Sequence, residues 1–222
     1  MKEKIYLNTP LTKEKIKGLK FGDRIYLSGS IYTARDAAHK RLIELIDKGE
    51  KLPIDIENET IYYVGPTPEK EGKVIGSCGP TTSYRMDSFS PKLLDLGLKG
   101  MIGKGSRSKE VIDSIVKNSA VYLGAIGGAA ALIAKCVVKS EVIAYEDLGS
   151  EAIRKLEIKD MPLIVVIDSK GNNLYEIGKE RYLNSKKWWL KKSSFFLYRN
   201  ESLTFNFRNI YYCYKSWRVY FH

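Results

Sequence analysis

The chain has 222 residues, 44% of them apolar, enough for one domain whose core needs no disulfide support. Its three cysteines, Cys78, Cys136 and Cys213, stand far apart and its two histidines are His39 and His222, which argues against a disulfide framework, a zinc site and a local Ser-His-Asp arrangement. The net charge of +11 suggests nucleic acid until it is divided: residues 179–222 carry ten basic and two acidic residues, or +8, leaving only +3 for residues 1–178.

The first extended run is KIYLNTP, followed by a short helix in LTKEKIKGL with Thr12 as its cap. RIYLSGSIYTARD is a second extended run, and Ala34 to Lys48 reads as a helix with Leu42, Ile43, Leu45 and Ile46 on one stripe, closed by Gly49. Residues 50–72 are connecting structure around a strand at IYYVG. Lys73–Gly76 is expected as a strand, Pro91–Leu96 as a short helix, and LKGMIGKGSRS as a strand running into a glycine-flanked loop before a helix at Ser108–Lys117. VYLGAIGG leads in the same way into a small-residue helix, AAALIAKCVV, and PLIVVIDSKGNNLYEIG reads as a buried strand, a turn and a returning strand. The alternation makes the body, residues 1–178, one mixed α/β domain. No early apolar run has the shape of a signal peptide and no apolar stretch reaches the roughly 18–20 residues of a spanning helix, so a cytoplasmic protein without membrane contact is expected.

Four stretches hold residues suited to chemistry. In GSCGPTTSYRMD, residues 76–87, the glycines permit close approach, Pro80 fixes a turn, Thr81 and Thr82 offer hydroxyls, and Arg85 offers a fork matched to carboxylate or phosphate. A helix-opening turn with a capping threonine explains the same residues equally well. IGKGSRS, residues 102–108, sets Lys104 and Arg107 in a polar loop without the full phosphate-loop pattern; a basic surface turn is the plainer explanation, with anion binding at the following helix start the alternative. YTARDAAHKRL spaces Arg35 and His39 four apart, on one helical face if the helix begins early, or on a solvated one. GAIGGAA is open to a packing role.

Taken together, YTARDAAH, GSCGPTTSYRMD, the KGSRS loop, YLGAIGGAAAL and DLGSEAIRKLEIKDMPLIVVIDSKGN occur in the order seen in the β subunit of class I, iron-sulfur-dependent fumarate hydratases and their relatives, the L-tartrate dehydratases. The resemblance covers residues 1–178, and GPTT followed by Arg-Met-Asp is its most diagnostic element. It implies a swivelling β/β/α domain, reversible hydration of fumarate to L-malate, and an active site shared with an α subunit in an assembly of two α and two β chains. A 4Fe-4S cluster is expected on that α subunit, with no metal bound by this chain. Carried over by position, Arg35, Arg85 and Lys104 are the substrate-binding cations and Thr81 the catalytic base, with Thr82, Arg107 and His39 as secondary candidates. Ser83-Tyr84 and Ser106 depart from the family pattern close to the expected substrate shell, which leaves fumarate against tartrate open. Cys78 reads as structural.

Residues 179–222 hold all three tryptophans and five of the seven phenylalanines. They have no counterpart in that family, and a non-native or unrelated origin is expected for them. A different function follows if they matter: a nucleic-acid-binding module, with Trp188, Trp189 and Trp217 stacking on bases.

Overall fold

The computed structural model describes residues 4–185. Its compact units divide between Ile177 and Gly178. The first is built on seven strands, β1 (Ile5–Asn8), β2 (Arg24–Thr33), β3 (Thr60–Tyr62), β4 (Gly100–Gly103), β5 (Val121–Gly124), β6 (Val137–Ala144) and β7 (Ile153–Ile167). In chain order the helices are α1 (Lys13–Lys17), α2 (Asp36–Lys48), α3 (Ser90–Asp95), α4 (Lys109–Asn118) and α5 (Ala130–Lys135), with 3-10 turns at Ser83–Met86 and Glu146–Glu151.

β1 to β5 run parallel to their neighbours in sequence order. β7 then lies antiparallel to both β5 and β2, so the sheet closes on itself through β2, β3, β4, β5 and β7, with β1 and β6 added outside the ring. Closure is possible because β7 is 15 residues long and its register with β2 shifts between Leu27 and Gly29, a bulge that bends the pair. Alternation along the strands divides the core in two. Tyr62, Ile102, Val121, Leu123 and Val165 join one cluster with Ile16 of α1 and Ile133 of α5. Their neighbours Ile61, Tyr63, Met101, Tyr122 and Val166 meet Leu42 of α2, Leu93 of α3 and Val111 of α4 in the other.

The helix ends follow local chemistry. Thr12 caps α1 through Lys15 N, Ser108 caps α4 through Val111 N, and Gly49 closes α2 at φ 69°, where a side chain would be strained.

Three expectations are corrected. Lys73–Gly76 forms no strand; that stretch belongs to a loop whose ends are tied by Thr67 and Ser77 through Thr67 N to Ser77 O at 3.2 Å and Ser77 N to Thr67 Oγ1 at 2.8 Å. The helix at AAALIAKCVV stops at Lys135, because Val137 and Val138 open β6 and pair along β7. After the turn at Asp168–Asn172 the chain makes one bridge, Ile167 to Asn173, and residues 174–185 are helical instead of a returning strand. No helix among the described residues is long and apolar enough to cross a membrane. The aromatic segment from residue 186 onward, with Trp188, Trp189 and Trp217, lies outside the described residues.

Candidate functional site

The carboxyl ends of β2, β3, β4 and β5 lie side by side, and each releases one of the polar segments singled out in the sequence. Parallel strands deliver their loops to one edge, which is where such sheets bind ligands. β2 leads through Ala34 to Arg35, β3 to Gly65, β4 to Lys104 and β5 to the glycines at 127 and 128.

The loop carrying Thr81 is laced across that edge. Thr81 N donates to the Tyr63 carbonyl at 2.7 Å, Val64 and Pro80 form a bridge, Thr82 pairs with Lys104, and Ser83 N donates to the Lys104 carbonyl at 2.9 Å. Thr81 and Thr82 are therefore fixed through their backbones between the ends of β3 and β4. Their hydroxyls accept and donate no hydrogen bond among the described residues. Lys104 is exposed, its ammonium likewise without a partner among the described residues, and its stem passes the loop at Gly127.

Arg85 lies in the 3-10 turn and its side chain is 43% exposed. Its Nη2 lies 2.7 Å from Asp36 Oδ2, an ion pair by distance whose angles fall short of a hydrogen bond. Asp36 is the first residue of α2, directly after Arg35. Arg35 packs its guanidinium against Gly65, where a β-carbon would stand 2.5 Å from Nη1, and its Nη2 meets Glu151 Oε1 at 3.4 Å. Its Nε is buried without a partner among the described residues. Arg35, Thr81, Arg85 and Lys104 are thus brought to one edge from three segments far apart in sequence.

Arg107 and His39 have different surroundings. The Arg107 side chain is fully buried, donating to Asp87 Oδ1 at 2.7 Å and Ser90 Oγ at 2.6 Å and lying over the rings of Tyr63 and Tyr122. Its charge is spent internally, which makes it a structural cation and not a free surface one. His39 is buried on α2 with its ring against Tyr63 and Phe89; Nδ1 lies 2.9 Å from the Arg35 carbonyl, so Nδ1 carries the proton, and Nε2 has no partner among the described residues. Desolvation pushes the imidazole down to about 4, keeping it neutral. The link between Arg35 and His39 is through backbone, not a shared helical face, because α2 begins only at Asp36.

Several residues that sequence reasoning missed hold this edge together. Asp87 accepts from both Arg107 Nε and Ser108 N, the latter at 2.6 Å, which locks the RMD end of one motif onto the KGSRS loop. Ser83, expected near the substrate shell, is fully buried instead, accepting from Lys104 N and from the Tyr122 hydroxyl. Tyr84 points the other way, 64% exposed, and Ser106 is exposed. The signal for Asp87 and Ser83 was their place in the diagnostic stretch, which does not say that either side chain is turned inward. The start of α4, a possible anion site in the sequence, is engaged by Ser108 and Asp87.

The described residues do not fit a metal cluster. No group of three or more His, Cys, Asp or Glu among them could hold a metal ion, Cys78 is buried with its thiol pushed up to about 12 by desolvation, and Cys136 is raised for the same reason.

Comparison with known proteins identifies the family. A family model described as Fumarase C-terminus matches residues 1–178. The aerobic class I fumarate hydratase of Escherichia coli is 41% identical over 177 residues, 78% of this chain and 32% of that protein. Fumarate hydratase 2 of Leishmania major is 40% identical over 176 residues, covering 78% and 31% respectively. A protein of Methanocaldococcus jannaschii, provisionally named L(+)-tartrate dehydratase subunit beta, is 41% identical over 184 residues, which cover 80% of this chain and 94% of that one. The chain thus spans about a third of the length of the fumarate hydratases that it matches and nearly the whole of the separate β subunit.

Proposed function

The chain belongs to the fumarase C-terminus family, and from that membership we propose that it is the β subunit of a heteromeric iron-sulfur hydro-lyase, interconverting fumarate and L-malate together with an α subunit. The observation that carries this reading is the placement of Arg35, Arg85, Lys104 and Thr81, whose hydroxyl has no partner among the described residues, on segments gathered at one end of the parallel strands. Two carboxylates of a small dianion need cations at fixed separation, and backbone-anchored loops supply fixed positions. The match to a separate β subunit supports the β-subunit assignment. We further propose the swivelling β/β/α type for the domain, residues 1–178, cytoplasmic location and an assembly of two α and two β chains.

In this reading the guanidiniums of Arg35 and Arg85 and the ammonium of Lys104 bind and orient the carboxylates. Dehydration of malate takes a proton from the carbon beside one carboxylate while hydroxide leaves the neighbouring carbon. Thr81 Oγ1 is the proposed proton acceptor, and the adjacent cations favour its deprotonated form. The cluster is assigned to the α subunit as part of this proposal. His39 and Arg107 then support the site from within the core.

A second reading, L-tartrate dehydratase, is favoured by the extent of the match to the Methanocaldococcus protein. Both are tested by co-expression with candidate α subunits, anaerobic cluster reconstitution, and parallel assays of fumarate hydration and tartrate dehydration. Turnover of fumarate by the assembled pair is the expected result, and turnover of tartrate alone selects the second reading. Inactivity of every cluster-loaded pair would remove both.

A further inference from the structure

Two carboxylates stand among the proposed cations, which opposes binding of a dianion unless they do something else for it. Asp36 Oδ2 lies 2.7 Å from Arg85 Nη2, and Glu151 Oε1 lies 3.4 Å from Arg35 Nη2. Glu151 is itself held: its Oε2 accepts from Ala37 N at 3.1 Å, in the first turn of α2. Arg35, Asp36 and Ala37 are consecutive, so three residues at the opening of α2 connect the 3-10 turn at Glu146–Glu151 with the turn that carries Arg85.

Each carboxylate takes only part of its arginine. Glu151 meets Nη2 of Arg35, Gly65 packs beside Nη1, and the buried Nε donates to no described residue. A guanidinium has five donors in one plane, so fixing one edge sets the direction of the others. Long side chains lose rotamer freedom when they grip a ligand, and a partner that fixes the rotamer beforehand moves that loss from binding to folding. Docking alone does not explain Glu151. Arg41 on α2 already joins the same 3-10 turn through a two-point contact with Asp147, 2.8 Å at Oδ1.

Resting on the dicarboxylate reading above, we infer that Asp36 and Glu151 are positioning residues, which set the guanidinium planes of Arg85 and Arg35 for the substrate's carboxylates. They act through the arginines and touch no reacting atom. Glu151 is therefore part of the site's support although it lies outside the strand-end loops.

The test compares Glu151→Ala, Glu151→Gln, Asp36→Asn and Asp147→Ala in the assembled pair with its α subunit. Loss of a charge-assisted contact predicts that KM for fumarate rises about tenfold in Glu151→Ala and Asp36→Asn, with a smaller fall in kcat. Glu151→Gln keeps an acceptor for Ala37 N and falls between, and Asp147→Ala leaves KM unchanged. Combining Glu151→Ala with Arg35→Ala costs no more than Arg35→Ala alone. Unchanged KM in the Glu151 and Asp36 variants, equal effects of Glu151→Ala and Asp147→Ala, or additivity in the double variant would each overturn the inference. If the wild-type pair turns over neither fumarate nor tartrate, the functional reading fails separately, and nitrogen NMR of the full chain still decides the positioning. Slow rotation about the Arg35 Nε–Cζ bond that becomes fast in Glu151→Gln supports it, and equal rates in the two overturn it.

Discussion

Thr81 presents a hydroxyl that no described residue engages, on a backbone held by Tyr63. Its backbone bond survives truncation of the side chain, so Thr81→Ala is expected to assemble normally. Loss of a general base lowers turnover by roughly 100- to 10,000-fold; steady-state assay of the variant pair checks this, and near-normal kcat would end the assignment. His39 makes the opposite case, a titratable group held for packing. Its ordinary value of 6.5 falls to about 4 in the fold through desolvation, against a raising contribution from the Arg35 carbonyl bond. Arg107 and Asp36 are the charged groups that act on it, the first lowering and the second raising. Below pH 6.5 the unfolded chain gains a proton at this ring that the folded chain accepts only near pH 4. Stability from this residue is therefore complete above pH 6.5, declines as pH falls toward 4, and levels off below that. Between pH 7.5 and 5 the wild type is expected to lose about 2 kcal/mol more than His39→Leu, read from urea midpoints. Equal losses would mean that His39 is not held neutral.

At the scale of elements, the clamp depends on close approach between loops. Gly65 follows β3 and has no unusual φ, yet an added β-carbon would meet Arg35 Nη1 at 2.5 Å and the Ser150 carbonyl at 3.1 Å. The first of these is the free end of a side chain that can swing away, so Gly65→Ala should cost less than about 1 kcal/mol of stability. It should nevertheless raise KM about tenfold by displacing one cation from a charge-assisted contact. Melting temperature and steady-state kinetics on the same preparation separate the two effects; an unchanged KM would detach Arg35 from the substrate. Gly103, at the end of β4, is the contrasting case. A β-carbon there would run into the buried Ser83 hydroxyl and approach Tyr63 Cδ2 at 3.0 Å, so substitution strikes the core.

For the whole molecule, the charge of +11 is mostly a property of the last 44 residues, and the proposed chemistry lies in residues 1–178. A chain ending at residue 185 is expected to assemble and turn over as the full chain does, and salt-sensitive nucleic-acid binding, if the full chain has any, is expected to vanish with the tail. Gel filtration with the α subunit, the hydratase assay and a filter-binding titration check this; loss of assembly would make the tail a partner-binding element. The sequence by itself determined the strand and helix alternation, the cap at Thr12 and the helix end at Gly49, and the residues proposed for the site. Those features are written in periodicity, turn chemistry and short contiguous motifs. Only the tertiary structure decided that β7 closes the sheet, that Arg107 and Ser83 face inward while Arg85 faces outward, and that Asp36 and Glu151 bracket the arginines. None of these outcomes is local: an arginine in a polar loop reads the same whether Asp87 and two tyrosine rings enclose it or solvent does, and pairing across more than a hundred residues leaves no spacing to read. β6 was hidden for the same reason, since its alanine-rich approach has helical propensity and its strand exists through pairing with β7.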